Sequence, residues 1–130
     1  MSVQVALERL RSEIENFALD PYVLTVSDDH RPHCASVAVQ WDEDQLVMGA
    51  GNRTLAKAAA RPSISLLWAP TVVGGYSLIV DATTTATSGT GEGDNCLTVR
   101  PTRAVLHRPA TEGADATSAC GADRVPVFRT

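Results

Sequence analysis

The residues best equipped for chemistry stand in one run, Gly49-Ala50-Gly51-Asn52-Arg53-Thr54-Leu55-Ala56-Lys57. The apolar Leu46-Val47-Met48 leads into it and Ala56 to Ala60 continues it, alanine being the strongest helix former. A strand, a glycine turn and a helix start leave backbone N–H groups unpaired at the positive end of the helix dipole, an arrangement that receives anions. Asn52 closes the turn, and Arg53 and Thr54 bring a guanidinium fork and a hydroxyl to the same point. Lys57 is the only lysine of the chain and follows Thr54 by one helical turn, on the same side. The run reads as a phosphate-binding corner, or as an ordinary strand-to-helix turn with solvated cations; spacing alone does not separate the two. It is not a Walker loop, because no glycine directly precedes Lys57 and no Ser or Thr follows it.

The elements that must position this corner can be read from periodicity. Leu7, Leu10, Ile14 and Phe17 recur at helical spacing with charged residues between them, which predicts an amphipathic helix ended by Asp20-Pro21. Tyr22 to Val26 is β-branched and apolar, hence a strand, and Asp28 to Pro32 is a turn. Cys34 to Trp41 reads as one second strand, with Ala35, Val37, Val39 and Trp41 on one face and Ser36 and Gln40 on the other. Asp42-Glu43-Asp44 is a hairpin turn and Gln45 to Gly49 a third strand, so these three are expected to form an antiparallel meander. Arg61-Pro62 stops the short helix, and Ser63 to Trp68 is apolar enough for a central strand. Tyr76 to Thr87 is a long, threonine-rich strand, and Cys96 to His107 the last, with Pro101 marking a bulge or an edge. Ser88 to Asn95 is glycine-rich, but no helix follows it, so it reads as a flexible connection rather than a second anion loop.

At 130 residues the chain makes one domain, with 44% hydrophobic residues to fill a single core. A composition shift puts the domain at 1–109 and a flexible C-terminal tail at 110–130, whose Val125 to Phe128 is the one apolar patch. About six strands, a leading helix and a short inserted helix predict a mainly β fold. A small antiparallel barrel suits it, since closure removes exposed edges. The net charge of −4 leaves no basic stripe for nucleic acid. The three cysteines form no C-x-x-C pair, which indicates neither a zinc site nor a disulfide framework. No signal peptide and no run of about 20 apolar residues is present, so a cytoplasmic protein off the membrane is expected.

The order of these elements resembles the FMN-binding split barrel of the pyridoxamine 5′-phosphate oxidase-like family. The resemblance runs from about Leu7 to Arg108. It rests on Tyr22 to Val26, the turn Arg31-Pro32-His33, the strand Ala35 to Trp41, the corner Arg53 to Lys57, Arg61 to Leu67, Tyr76 to Ala82, and Val99 to Pro109. It implies a split β-barrel and a homodimer with cofactor sites at the subunit interface. The cofactor would be FMN or, alternatively, the deazaflavin coenzyme F-420. The activity would be oxidoreduction of a small molecule, with a non-catalytic flavin or haem carrier as the other reading. It places Asn52, Arg53, Thr54 and Lys57 at the cofactor phosphate and His33, Ala35, Ser36 and Val37 beside its ring. Arg53-Thr54 stands where many members carry an Arg-Lys pair, and Lys57 where they carry an Asn. No Ser-His-Asp spacing or paired-carboxylate motif stands out, so the cofactor would carry the chemistry and no catalytic residue is assigned. His30 and His33 lack further ligands at suitable spacing, and no metal is expected.

Overall fold

The structure is a computed structural model and describes residues 1–89 and 93–109. The expected tail, 110–130, lies outside the described residues. The described chain runs β1 (Ser2–Val5), a 3-10 turn (Leu7–Arg9), α1 (Leu10–Ile14), β2 (Tyr22–Val26), β3 (Pro32–Ser36), β4 (Val39–Asp42), β5 (Gln45–Gly49), α2 (Asn52–Ala60), β6 (Ser63–Trp68), β7 (Ser77–Ser88) and β8 (Cys96–His107). Every strand pairing is antiparallel, in the order β3-β2-β6-β7-β8-β5-β4, with β1 added on β8. The fold is mainly β with two short helices, as the composition and periodicity predict.

β6, β7 and β8 form the scaffold, and their alternation makes the core. Ile64, Leu66 and Trp68 of β6 are buried, and Leu66 lies across from Val80, which lies across from Ala104. Leu46 and Met48 of β5 meet Val99 and Leu97 of β8 from the other side, all four buried. Pro101 marks a bulge: the β7–β8 register shifts between Asp81 and Ala82. On the other edge of β8, β5 pairs with residues 96–99 and β1 with residues 104–107, so Pro101 falls in the gap between them. No neighbour there needs the N–H that proline lacks.

Four expectations are corrected. β1 went unforeseen; four residues form a strand only because β8 offers Ser2–Val5 an open edge. The leading helix is short: α1 ends at Ile14, well before Asp20-Pro21, and Leu7 is exposed. Neither it nor the 3-10 turn has a side-chain N-cap, and so short a helix persists only by docking Leu10, with Ile14 and Phe17, on the barrel. The Cys34 to Trp41 strand is two strands broken at Val37-Ala38, although Ala35, Val37, Val39 and Trp41 still share the covered side. The meander therefore does not exist. β3 pairs with β2 and β4 with β5, at opposite ends of the sheet order. The chain itself bridges those two ends through the bend, where Val37 is buried and its N–H donates to the Pro21 carbonyl at 3.0 Å.

Candidate functional site

The bend between β3 and β4 and the start of α2 face one cleft of about 500 Å3. Ala35 and Ser36 line it from β3 and Val37 from the bend that follows, Gly49 from the end of β5 with Ala50 and Gly51 just beyond it, Asn52 and Thr54 from the first turn of α2, and Gly93 and Asn95 from the approach to β8. Asn95 ties the corner together. Its carbonyl accepts the Ala50 N–H at 3.3 Å, and its Nδ2 donates to Asn52 Oδ1 at 2.7 Å.

Two sets of free backbone groups meet here. The first is the start of α2. Gly51 is its N-cap, with extended backbone and no side-chain capping bond, and the first intrahelical bond is from the Leu55 N–H to the Gly51 carbonyl at 3.0 Å. The N–H groups of Asn52, Arg53 and Thr54 thus precede any intrahelical partner. A Cβ on Gly51 would meet nothing within 4 Å, so the glycine opens onto free space. The second set is on β3. Ladder bonds alternate along an antiparallel pair. Val37 bonds Pro21, and the Ser27 N–H donates to the Arg31 carbonyl at 2.9 Å, in the same register that pairs Ala35 with Val23 and His33 with Thr25. The odd-numbered residues of β3 therefore turn their backbone groups to β2, and Cys34 and Ser36 turn theirs to the unpaired edge. Ser36, rather than Ala35 or Val37, offers the free N–H and carbonyl at the cleft wall.

The residues expected at the cofactor divide. Asn52, Thr54, Ala35, Ser36 and Val37 come together in this cleft. Arg53 and Lys57 line a separate groove of about 270 Å3 with Ser27, Asp28, Ala56 and Ala60. Positions 53, 56, 57 and 60 form one face of α2, and that face turns to the β2–β3 hairpin. His33 is exposed on β3 and lines neither space. In the hairpin, the Ser27 hydroxyl donates to Asp29 and holds its carboxyl below the usual carboxylate range; Arg31 Nε lies 3.2 Å from the same side chain. Asp28 pairs with Arg61 at 2.5 Å.

Sequence reading missed Gly93 and Asn95. Their stretch was read as a connection because no helix follows it, whereas Asn95 meets a helix start elsewhere in the chain. The fold also decides which residues of β3 keep free backbone groups, a parity that periodicity does not supply. Among the described residues no cluster of His, Cys, Asp and Glu could hold a metal ion, and no helix is long and apolar enough to cross a membrane.

A flavin-sized ligand fits these residues. The volume lies within the roughly 300–1,000 Å3 of small-molecule sites. The free strand edge matches a flat polar ring edge, and the uncapped helix start matches a phosphate. Solved structures with this fold bear flavin names. The structure is similar to an FMN-binding protein from Syntrophomonas wolfei (TM-score 0.62, 15% identity, covering 81% of this chain and 88% of that one). It is similar to an F420 reductase (TM-score 0.53, 16% identity, covering 65% and 86%). It is also similar to HutZ, a haem storage protein from Vibrio cholerae (TM-score 0.58, 10% identity, covering 80% and 96%). The fold is thus the split barrel of the pyridoxamine 5′-phosphate oxidase-like proteins. No family model matches the chain. By sequence it is 35% identical over 120 residues to the uncharacterized proteins Mb0449c of Mycobacterium bovis and MT0457 of Mycobacterium tuberculosis, covering 82% of this chain and 82% of each of them. The chain belongs to the family of these mycobacterial proteins.

Proposed function

We propose that this chain binds a flavin-type cofactor, FMN or the deazaflavin F-420, in the α2 cleft and serves as an oxidoreductase on a small-molecule substrate. One observation carries the reading: the free N–H and carbonyl of Ser36 face the same cleft as the uncapped N–H groups of α2. The first pair suits the alternating donors and acceptors of a flavin ring edge, and the second suits a phosphate. When bound, such a cofactor supplies the hydride or electron transfer. The chain's part is to hold it: Ser36 orients the ring, Asn52 and Thr54 receive the anionic end, and Asn95 keeps the corner in place. None of the described residues that line the cleft is a His, Cys or Met, so they offer haem no axial ligand. That favours the flavin over the haem-carrier reading.

The open cleft and the partly exposed outer face of the sheet favour a homodimer that covers both. The absorbance spectrum of the purified protein separates flavin, deazaflavin and haem. Calorimetric titration is expected to give one FMN or F-420 per chain, and no binding of either at millimolar ligand would overturn the reading. Hydride transfer from the reduced cofactor to a quinone-type acceptor tests turnover; a bound flavin that turns over no acceptor would make the protein a carrier.

A further inference from the structure

We propose that the groove between α1 and the β4–β5 turn is a docking site for a segment of this same chain, Val125-Pro126-Val127-Phe128. The groove holds about 430 Å3 and shares no lining residue with the α2 cleft, so the inference stands apart from the proposed function. Its apolar lining is Leu7, Trp41 and Pro101. Leu7 continues the stripe that seats Leu10, Ile14 and Phe17 on the barrel, yet it is 43% exposed, and Trp41 is only half-buried. On this edge of β8 no strand pairs between Val99 and Ala104, which leaves Pro101 open to the groove. Arg11 ties the two walls together. Its Nη2 donates to the Glu43 carbonyl at 2.8 Å, and its guanidinium carbon stands 4.6 Å from the centre of the Trp41 ring. Glu8, Glu43 and Asp44 also line the groove. Among the described residues the Glu8 and Glu43 carboxylates have no ion-pair or hydrogen-bond partner, and Asp44 has only Arg100, at 3.9 Å.

Beyond Pro109 the sequence holds one apolar stretch, 125–128, with Arg124 on one side of it and Arg129 on the other. An apolar segment between two cations is the complement of an apolar groove bordered by unpaired carboxylates. Proline favours extended backbone for itself and for Val125, the form in which proline-containing segments settle on aromatic-lined grooves. The distance is within reach. Pro101 stands eight positions before Pro109, roughly 25 Å along an extended strand. Residues 110–124 make a linker that covers roughly 20 Å on average and about 50 Å at most. A segment tethered this way meets the groove at an effective concentration in the millimolar range.

Trp41 reports on the groove directly. The chain has two tryptophans, and Trp68 is 2% exposed, so acrylamide quenching of the full-length protein reads Trp41. Phe128→Ser should raise that quenching about twofold or more, because a groove facing a millimolar effective concentration is mostly filled. The thermal midpoint should hold, since Phe128 lies outside the barrel strands. Arg124→Glu with Arg129→Glu should expose Trp41 in the same way, and Glu8→Arg with Glu43→Arg, added to that pair, should restore its protection. Protection of the parent chain that is independent of protein concentration supports docking within one chain. Protection that appears only as concentration rises assigns the groove to the segment of a second copy and overturns the inference. Quenching that is the same in the parent chain and in Phe128→Ser overturns it as well, and leaves the groove open to solvent.

Discussion

At the scale of single residues, the cleft separates folding from binding. Gly51 has an ordinary φ of −73° and open space where a Cβ would stand. Gly51→Ala should therefore change stability by no more than about 0.5 kcal/mol in a denaturant melt, while the added methyl enters the cleft and weakens FMN. A variant that unfolds instead would show that the glycine serves the backbone. Asn95→Ala removes the amide that reaches Asn52, a bond worth about 0.5–1.5 kcal/mol net. It should lower the thermal midpoint modestly and the affinity for phosphate-bearing flavins along with it. Thr54→Val keeps the shape and deletes the hydroxyl, so FMN affinity should fall while riboflavin affinity holds. The strand end, turn and helix start from Gly49 to Thr54 were legible because an apolar run, two glycines and a run of alanines each have a local structural meaning. Asn95 was not legible, since its partners Ala50 and Asn52 lie more than forty positions away along the chain.

At the scale of elements, β3 is the decisive strand. The ladder leaves its even-numbered residues free and its odd-numbered residues bonded to β2. Amide hydrogen exchange followed by NMR should show His33, Ala35 and Val37 protected in the free protein and Cys34 and Ser36 exchanging fast. Addition of FMN should slow Ser36 selectively. Slow Ser36 exchange without ligand would mean that another part of the chain already occupies the edge. β6 and β8 were read to the residue, because Ser63–Trp68 and Cys96–His107 are bounded by proline and turn residues and sit inside the sheet. α1 was overread. Its four apolar residues keep helical spacing, but an uncapped helix this short depends on what the barrel lets it touch.

At the scale of the whole molecule, the outer side of the sheet is only partly covered by the described residues. Register places Tyr22, Leu67 and Ile79 in one row across β2, β6 and β7, with Tyr22 45% exposed and Leu67 and Ile79 half-buried, while Val105 of β8, next in the row, is already buried. If a second copy packs there, Ile79→Lys should convert a dimer to a monomer in light scattering and leave the monomer folded. A wild-type protein already monomeric at micromolar concentration would remove the dimer. Leu66 tests the core itself: it is fully buried, and Leu66→Ala should cost about 2–5 kcal/mol in a urea melt.

What the sequence by itself determined is local in origin. Alternation in β6, β7 and β8 sets a mainly β domain, proline and glycine set where elements stop, and the run from Gly49 to Lys57 sets a strand end, a turn and a helix start. What only the tertiary structure decided depends on which strands meet. The break at Val37-Ala38 sends β3 and β4 to opposite ends of the sheet, a choice made by barrel closure and invisible to periodicity, since the alternation continues through the bend. The same closure brings Ser36 and Asn95 to α2 and turns Arg53 and Lys57 away from the cleft into a groove of their own. The rotation of α2 about its axis settles that division, and it is fixed by Ala58, whose complete burial presses one face of the helix on the barrel.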